Sequence, residues 1–185
     1  GLTTAGFGAA FGRSVFITVA SVVLIVLCTA MTAWYLTRVR SWWTQPLYYL
    51  FVFSMIVPFQ MVMFTMTYVV GQVGLNTVVG IVPVYLGFGA GLSVFMLAGF
   101  VRSIPLDIEE AATIDGCDPL QCFFRVVFPV LRPTAVTVAI LNAMWVWNDY
   151  LLPYLVLGTG QKTVPVAIQI AMQGAYGSTD YGGLM

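Results

Sequence analysis

The stretch PLYYLFVFSMIVPFQMVMFTMTYVV, residues 46–70, contains no charged side chain, and it lies inside a charge-free run of 61 residues between Arg40 and Arg102. One membrane-spanning helix needs about 20 apolar residues, so the run is long enough for two spans and a short connection. A water-soluble core has no use for it. Across the chain, 60% of residues are hydrophobic and 8% charged, far from the roughly 45–50% and about 25% of soluble domains. The sequence therefore specifies an all-α integral membrane protein.

Charge-free apolar runs place four spans, at residues 14–35, 46–70, 77–101 and 133–157. Pro58 and Pro83 are expected to kink or interrupt their helices. Gly87 and Gly91 have the Gly-x-x-x-Gly spacing of closely approaching helices, with a local helix break as the alternative. Trp42 and Trp43, beside Arg38 and Arg40, suit the membrane–water interface. Four successive spans make the loops alternate sides. Arg38, Arg40, Arg102, Arg125 and Arg132 then share one side and Arg13 and Lys162 the other. The positive-inside rule makes the first side cytoplasmic, with residues 1–13 and 158–185 facing outward.

Zero net charge and the lack of a basic patch argue against nucleic acid as a partner. Three cysteines without ligand spacing, in a chain with no histidine, argue against a metal centre.

Five of the seven acidic residues crowd into residues 107–118: Asp107, Glu109, Glu110, Asp115 and Asp118. Asp107 and Glu110 have capping-box spacing, Gly116 suits a left-handed helix end, and Asp118–Pro119 suits the start of a second helix. Leu120, Phe123, Phe124 and Val127 recur at helical spacing and form one apolar face. The loop at 103–129 reads as two short helices joined at a glycine. Its apolar face either packs on the protein's own span ends and the lipid interface or docks a cytosolic partner.

EEAATIDGCDPLQCFFRVVFP, residues 109–129, resembles the EAA loop of permease subunits from binding-protein-dependent ATP-binding cassette importers. That pattern is Glu-Ala-Ala, three residues, Gly, nine residues, Ile-x-Leu-Pro; Glu110, Ala111, Ala112, Gly116 and Pro129 match it. Val126 and Phe128 are apolar departures, and Cys117 replaces a small residue. WNDYLLP (147–153), NTVVGIVPVYLGFG (76–89) and SIPLDIEEAATIDG (103–116) are similar to the carbohydrate branch, in particular the maltose-type second subunit.

The resemblance implies a permease domain over residues 11–185, with an external loop at 158–185 that reaches toward a binding protein. Six spans are usual in that branch. The four here correspond to the second through fifth, which fits a first residue that is not Met. The resemblance further implies that Glu109, Glu110, Ala111, Ala112, Asp115, Gly116, Leu120, Phe123, Phe124 and Pro129 couple the spans to a cytosolic ATPase. ATP and Mg would belong to that subunit, since this chain has no Walker-type phosphate loop and is expected to hold no cofactor and to be no enzyme by itself. A second permease subunit, an extracytoplasmic solute-binding protein and lipid complete the expected partners, in a bacterial or archaeal inner membrane.

Asp149 is the one acid inside a candidate span, where a charge costs at least ~2.5–3.5 kcal/mol. It either braces neighbouring helices or lines a path with Asn142, Trp145, Trp147 and Asn148. An ion-coupled secondary transporter or channel would be expected to carry more intramembrane ionisable groups. A membrane anchor would use the loop as a plain docking site.

Overall fold

The computed structural model describes residues 4–173, and every regular element among them is helical. α1 (Thr4–Arg38), α2 (Thr44–Ser54), α3 (Phe59–Val73), α4 (Ile81–Val101) and α5 (Leu106–Ile114) follow in order. A continuous helix then runs over Pro119–Asn148. It comprises α6 (Pro119–Cys122), a π-helical turn (Phe123–Val127) and α7 (Phe128–Asn148). α8 (Leu151–Leu157) and α9 (Val164–Gln173) close the described chain.

Among the described residues, three helices are long and apolar enough to cross a membrane by themselves: Gly6–Arg38, Ile81–Val101 and Pro119–Asn148. The expected second span is broken. α2 and α3 are separated at Met55–Pro58 and bent by 104° there, so a fourth span exists only if the bent pair serves as one. Proline explains the break: Pro58 has no amide proton, and its ring disfavours helical backbone at Val57. Pro58 itself is extended, at φ −63° and ψ 136°.

Pro83 behaves differently from its expectation. It occupies the first turn of α4, where its missing donor would have been unpaired in any case, and it interrupts nothing. The fourth span also begins earlier than residue 133. The π-turn, closed by Phe128 N–H to the Phe123 carbonyl, falls directly before Pro129, which has no donor for the α-helical bond. The second loop helix therefore continues into the span, and Pro133 lies inside α7.

Two compact units divide the described residues. Unit one comprises residues 4–21, 58–85 and 143–173. Its buried side chains include Ile17, Tyr85, Leu152 and Val166, and α8 packs on α3 and α9. Part of the expected external loop is helix α9. Ser14 Oγ accepts the Val164 amide at 2.9 Å, and Arg13 donates to the Lys162 carbonyl at 3.1 Å, fixing the lead-in to α9 against α1. Residues 174–185 of that loop lie outside the described residues.

Unit two comprises residues 22–57 and 86–142. Its core joins Ala30 and Ala33 of α1, Leu97, Ala98 and Val101 of α4, and Ala112 of α5 to Phe123, Val127, Leu131 and Val138 of the long helix. Alanine at 30, 33 and 98 keeps the backbones close. The same closeness explains two glycines of α4. A Cβ on Gly91 would stand 2.5 Å from Ser54 Oγ and 2.8 Å from the Phe51 carbonyl oxygen, and one on Gly89 would stand 2.7 Å from Asn142 Oδ1. Gly87 has nothing within 4 Å. Close packing is thus correct for Gly91, while its partner is Gly89 rather than the Gly87 of the Gly-x-x-x-Gly reading.

Candidate functional site

The acidic loop folds into an elbow. α5 ends in a Schellman motif: the Cys117 amide donates to the Ala112 carbonyl and the Gly116 amide to the Thr113 carbonyl, both at 3.0 Å. Gly116 carries the required positive φ, +86°. Asp118 Oδ1 then accepts the Gln121 amide at 2.8 Å, with Pro119 at the first helical position. Both expectations for this bend hold. The capping box does not form. Pro105 precedes Leu106 as the cap residue, so Asp107 is already helical and offers only a favourable charge in the first turn.

Consecutive residues on a helix point about 100° apart, and this separates the two glutamates. Glu110 is exposed, whereas Glu109 is buried. Glu109 Oε1 lies 2.7 Å from Arg38 Nη2 and accepts Arg38 Nε at 2.8 Å, while Oε2 accepts Trp34 Nε1 at 2.8 Å. Arg38 Nη2 also donates to the Ile104 carbonyl at 2.9 Å. Trp34 and Arg38 sit one turn apart on one face of α1. Both oxygens of Glu109 are therefore engaged internally.

The apolar face is divided in the same manner. Phe123 and Val127 are fully buried, and the Phe123 ring lies 5.5 Å from that of Trp34. Leu120 and Phe124 remain exposed, joined by Ile114 at 85% exposure. Ala112 packs inward, Ala111, Asp115 and Gly116 lie outward, and Pro129 is half-buried. Glu110, Ile114, Leu106 and Pro119 border a groove of about 580 Å³, with Trp34 and Cys122 in its wall. The elbow offers a partner the free carboxylate of Glu110, apolar side chains and a concave surface.

The residues proposed for a solute path have structural partners. In unit two, buried Asn142 donates to Ser93 Oγ at 3.1 Å and to the Val138 carbonyl at 2.9 Å. In unit one, Asp149 Oδ2 accepts the Tyr85 hydroxyl at 3.1 Å, and Oδ1 accepts the Leu151 and Leu152 amides at 3.0 and 3.4 Å, starting α8. These bonds tie Asp149 to α4 and to the start of α8. Trp145 meets the Tyr85 ring edge-on at 5.4 Å, and Trp147 meets Phe11 at 5.8 Å. Asn148, exposed, donates to the Met144 carbonyl at 2.7 Å. Trp147 and Asp149 line a cavity of only about 10 Å³, room for roughly one water.

Residues 25–179 match the family model described as binding-protein-dependent transport system inner membrane component. The chain belongs to this family. Among relatives of this inner membrane component is a probable starch degradation products transport system permease protein of Thermoanaerobacterium thermosulfurigenes. It is 41% identical over 160 residues, covering 86% of this chain and 58% of that protein. A multiple sugar-binding transport system permease protein of Streptococcus mutans is 34% identical, over 96% of this chain and 65% of its own length. A diacetylchitobiose uptake system permease protein of Streptomyces coelicolor is 34% identical, over 98% and 61%. This inner membrane component thus spans about three-fifths of the relatives it matches. A crystal structure of a bacterial ABC transporter involved in import of the acidic polysaccharide alginate shares the fold, at TM-score 0.78 and 22% identity, over 96% of this chain and 62% of that one.

Trp34, Arg38, Tyr85 and Ser93 were not anticipated as partners. A buried carboxylate must find a cation or donors, and Arg38, closing the first apolar helix, was the signal available for Glu109.

Proposed function

We propose that this chain is part of a transmembrane permease subunit of an ATP-driven importer for a sugar or oligosaccharide. The solute is delivered by an extracytoplasmic binding protein, and a second permease subunit completes the path. The elbow at α5–α6 couples the helices to a cytosolic ATPase. The observation that carries this reading is the division of labour at Glu109–Glu110: one carboxylate ties the elbow to α1, and the next stands free beside a groove of about 580 Å³. A docking element needs both a grip for its partner and a rigid connection to what it moves.

Membership in a binding-protein-dependent family supports the import direction, and the sugar-related names of several relatives support the solute class. The placement of the cations supports a cytoplasmic elbow: with four alternating spans, Arg38, Arg40, Arg102, Arg125 and Arg132 fall on the elbow's side and only Arg13 and Lys162 on the other, the pattern of the positive-inside rule. An ion-coupled mechanism gains no support from Asp149, whose oxygens are occupied by Tyr85 and the α8 amides.

The test uses the full-length subunit assembled with its partners. Binding-protein-stimulated ATP hydrolysis is measured for wild type, Glu110→Gln and Gly116→Val, with loss of stimulation expected in both. Unimpaired stimulation in both variants would sink the coupling role. Calorimetric titration of the binding protein with neutral oligosaccharides, acidic sugars and glycerol phosphate then assigns the solute.

A further inference from the structure

Between the end of α1 and the start of α2 lies a second cavity, of about 520 Å³, away from the elbow groove and built from unit two alone. Arg40 and Arg102 are both in its wall, with Trp42, Gln45, Tyr48 and Tyr49. Among the described residues the one ion pair is Arg38–Glu109, so neither arginine of this cavity has a carboxylate partner. The Arg102 guanidinium is instead held 4.9 Å from the centroid of the Tyr48 ring, a cation–π contact that positions the charge without neutralising it. Two unneutralised cations, amide and phenol donors and a concave wall together fit an anion with several acceptor oxygens.

The surroundings point to an amphiphile. Trp42 is 87% exposed at the rim, and Leu50 and Phe53 of α2, one turn apart, are each 63% exposed. The apolar helices α1 and α4 end at Arg38 and Val101, next to this wall, so the cavity lies where hydrocarbon gives way to headgroups. An anionic head in the cavity would leave its hydrocarbon tail free to cover the exposed face of α2.

We propose that this cavity binds the phosphodiester headgroup of an anionic phospholipid through Arg40 and Arg102, with the acyl chains lying along α2. On the orientation given under Proposed function the lipid belongs to the cytoplasmic leaflet; the binding itself does not depend on that reading. Arg38 takes no part, because Glu109 already holds it.

The full-length protein, purified in detergent, is incubated with equimolar phosphatidylglycerol and phosphatidylcholine, and retained lipid is counted by native mass spectrometry. Wild type is expected to retain phosphatidylglycerol preferentially. Arg40→Gln/Arg102→Gln should lose on the order of tenfold in that retention, whereas Arg125→Gln, which removes an exposed charge outside the cavity, should retain it. Equal retention of the two lipids by wild type overturns the proposal. An equal loss in the Arg125→Gln control overturns it too, since the attraction would then be diffuse. Displacement of the lipid by millimolar glycerol phosphate or inorganic phosphate would show a site for free phosphate and overturn the lipid assignment. Thermal melting of the variants separates loss of the site from loss of the fold, and a second double variant, Arg40→Lys/Arg102→Lys, is expected to recover part of the binding.

Discussion

Arg38 Nη2 lies 2.7 Å from Glu109 Oε1, joining the last turn of α1 to the first turns of α5 across 71 residues of sequence. With Trp34 on the other oxygen, the carboxylate has exchanged water for a fixed set of donors. Removing either charge strands its partner, at a cost of about 3 kcal/mol where the pair is buried. Glu109→Ala and Arg38→Ala should each lower the melting temperature of the detergent-solubilised protein markedly. The double variant Arg38→Met/Glu109→Met should recover most of the loss. Additive losses in the double variant would mean the pair contributes no coupling.

Gly91 and Gly87 make an internal control for helix packing. A methyl group at Gly91 meets the Phe51 carbonyl oxygen and Ser54 Oγ, while at Gly87 it meets nothing within 4 Å. Gly91→Ala should destabilise the protein, and Gly87→Ala should be neutral or stabilise by about 0.5–1 kcal/mol through helix propensity. Thermal unfolding of the two variants side by side checks the contrast, and equal shifts would refute the close approach.

Gly116 should tolerate asparagine better than valine. Its φ of +86° costs an ordinary side chain about 1–2 kcal/mol, and a β-branched one resists it most. Limited proteolysis at the elbow reports the effect: cleavage should rise in the order wild type, Gly116→Asn, Gly116→Val.

Asp149→Asn keeps one oxygen for the α8 amides and places an NH2 that can donate to the Tyr85 hydroxyl oxygen, whereas Asp149→Ala removes both contacts. The asparagine variant should stay close to wild type, and the alanine variant should lose about 1–2 kcal/mol of stability. A change of solute preference in Asp149→Asn with stability intact would instead assign Asp149 to the path.

The membrane character and the elbow were legible in the sequence because each rests on local physics. A 61-residue charge-free run has one reading, and Gly116, Asp118 and Pro119 impose their backbone geometry wherever they occur. What escaped was long-range or depended on register. Periodicity placed Phe123 and Phe124 on one face, but only the packing of α1 and α4 decides that Phe123 is buried and Phe124 exposed. Charge counting put Glu109 and Glu110 in one polar patch, because it does not see a cation 71 residues away. Hydropathy merged α2 with α3, since a run of apolar residues keeps its average through a bend, and the interruption expected at Pro58 was the signal that marked it. For Asp149, the contact with Tyr85, 64 residues away, lay beyond any local pattern.

Glu109 and Glu110 share a peptide bond, which is among the least extensible links in a protein. The α-carbon that carries the free carboxylate of Glu110 is therefore about 3.8 Å from the α-carbon of Glu109, whose own carboxylate is anchored on Arg38 and Trp34. A tug at the surface of α5 has almost no play to take up before the end of α1 must follow.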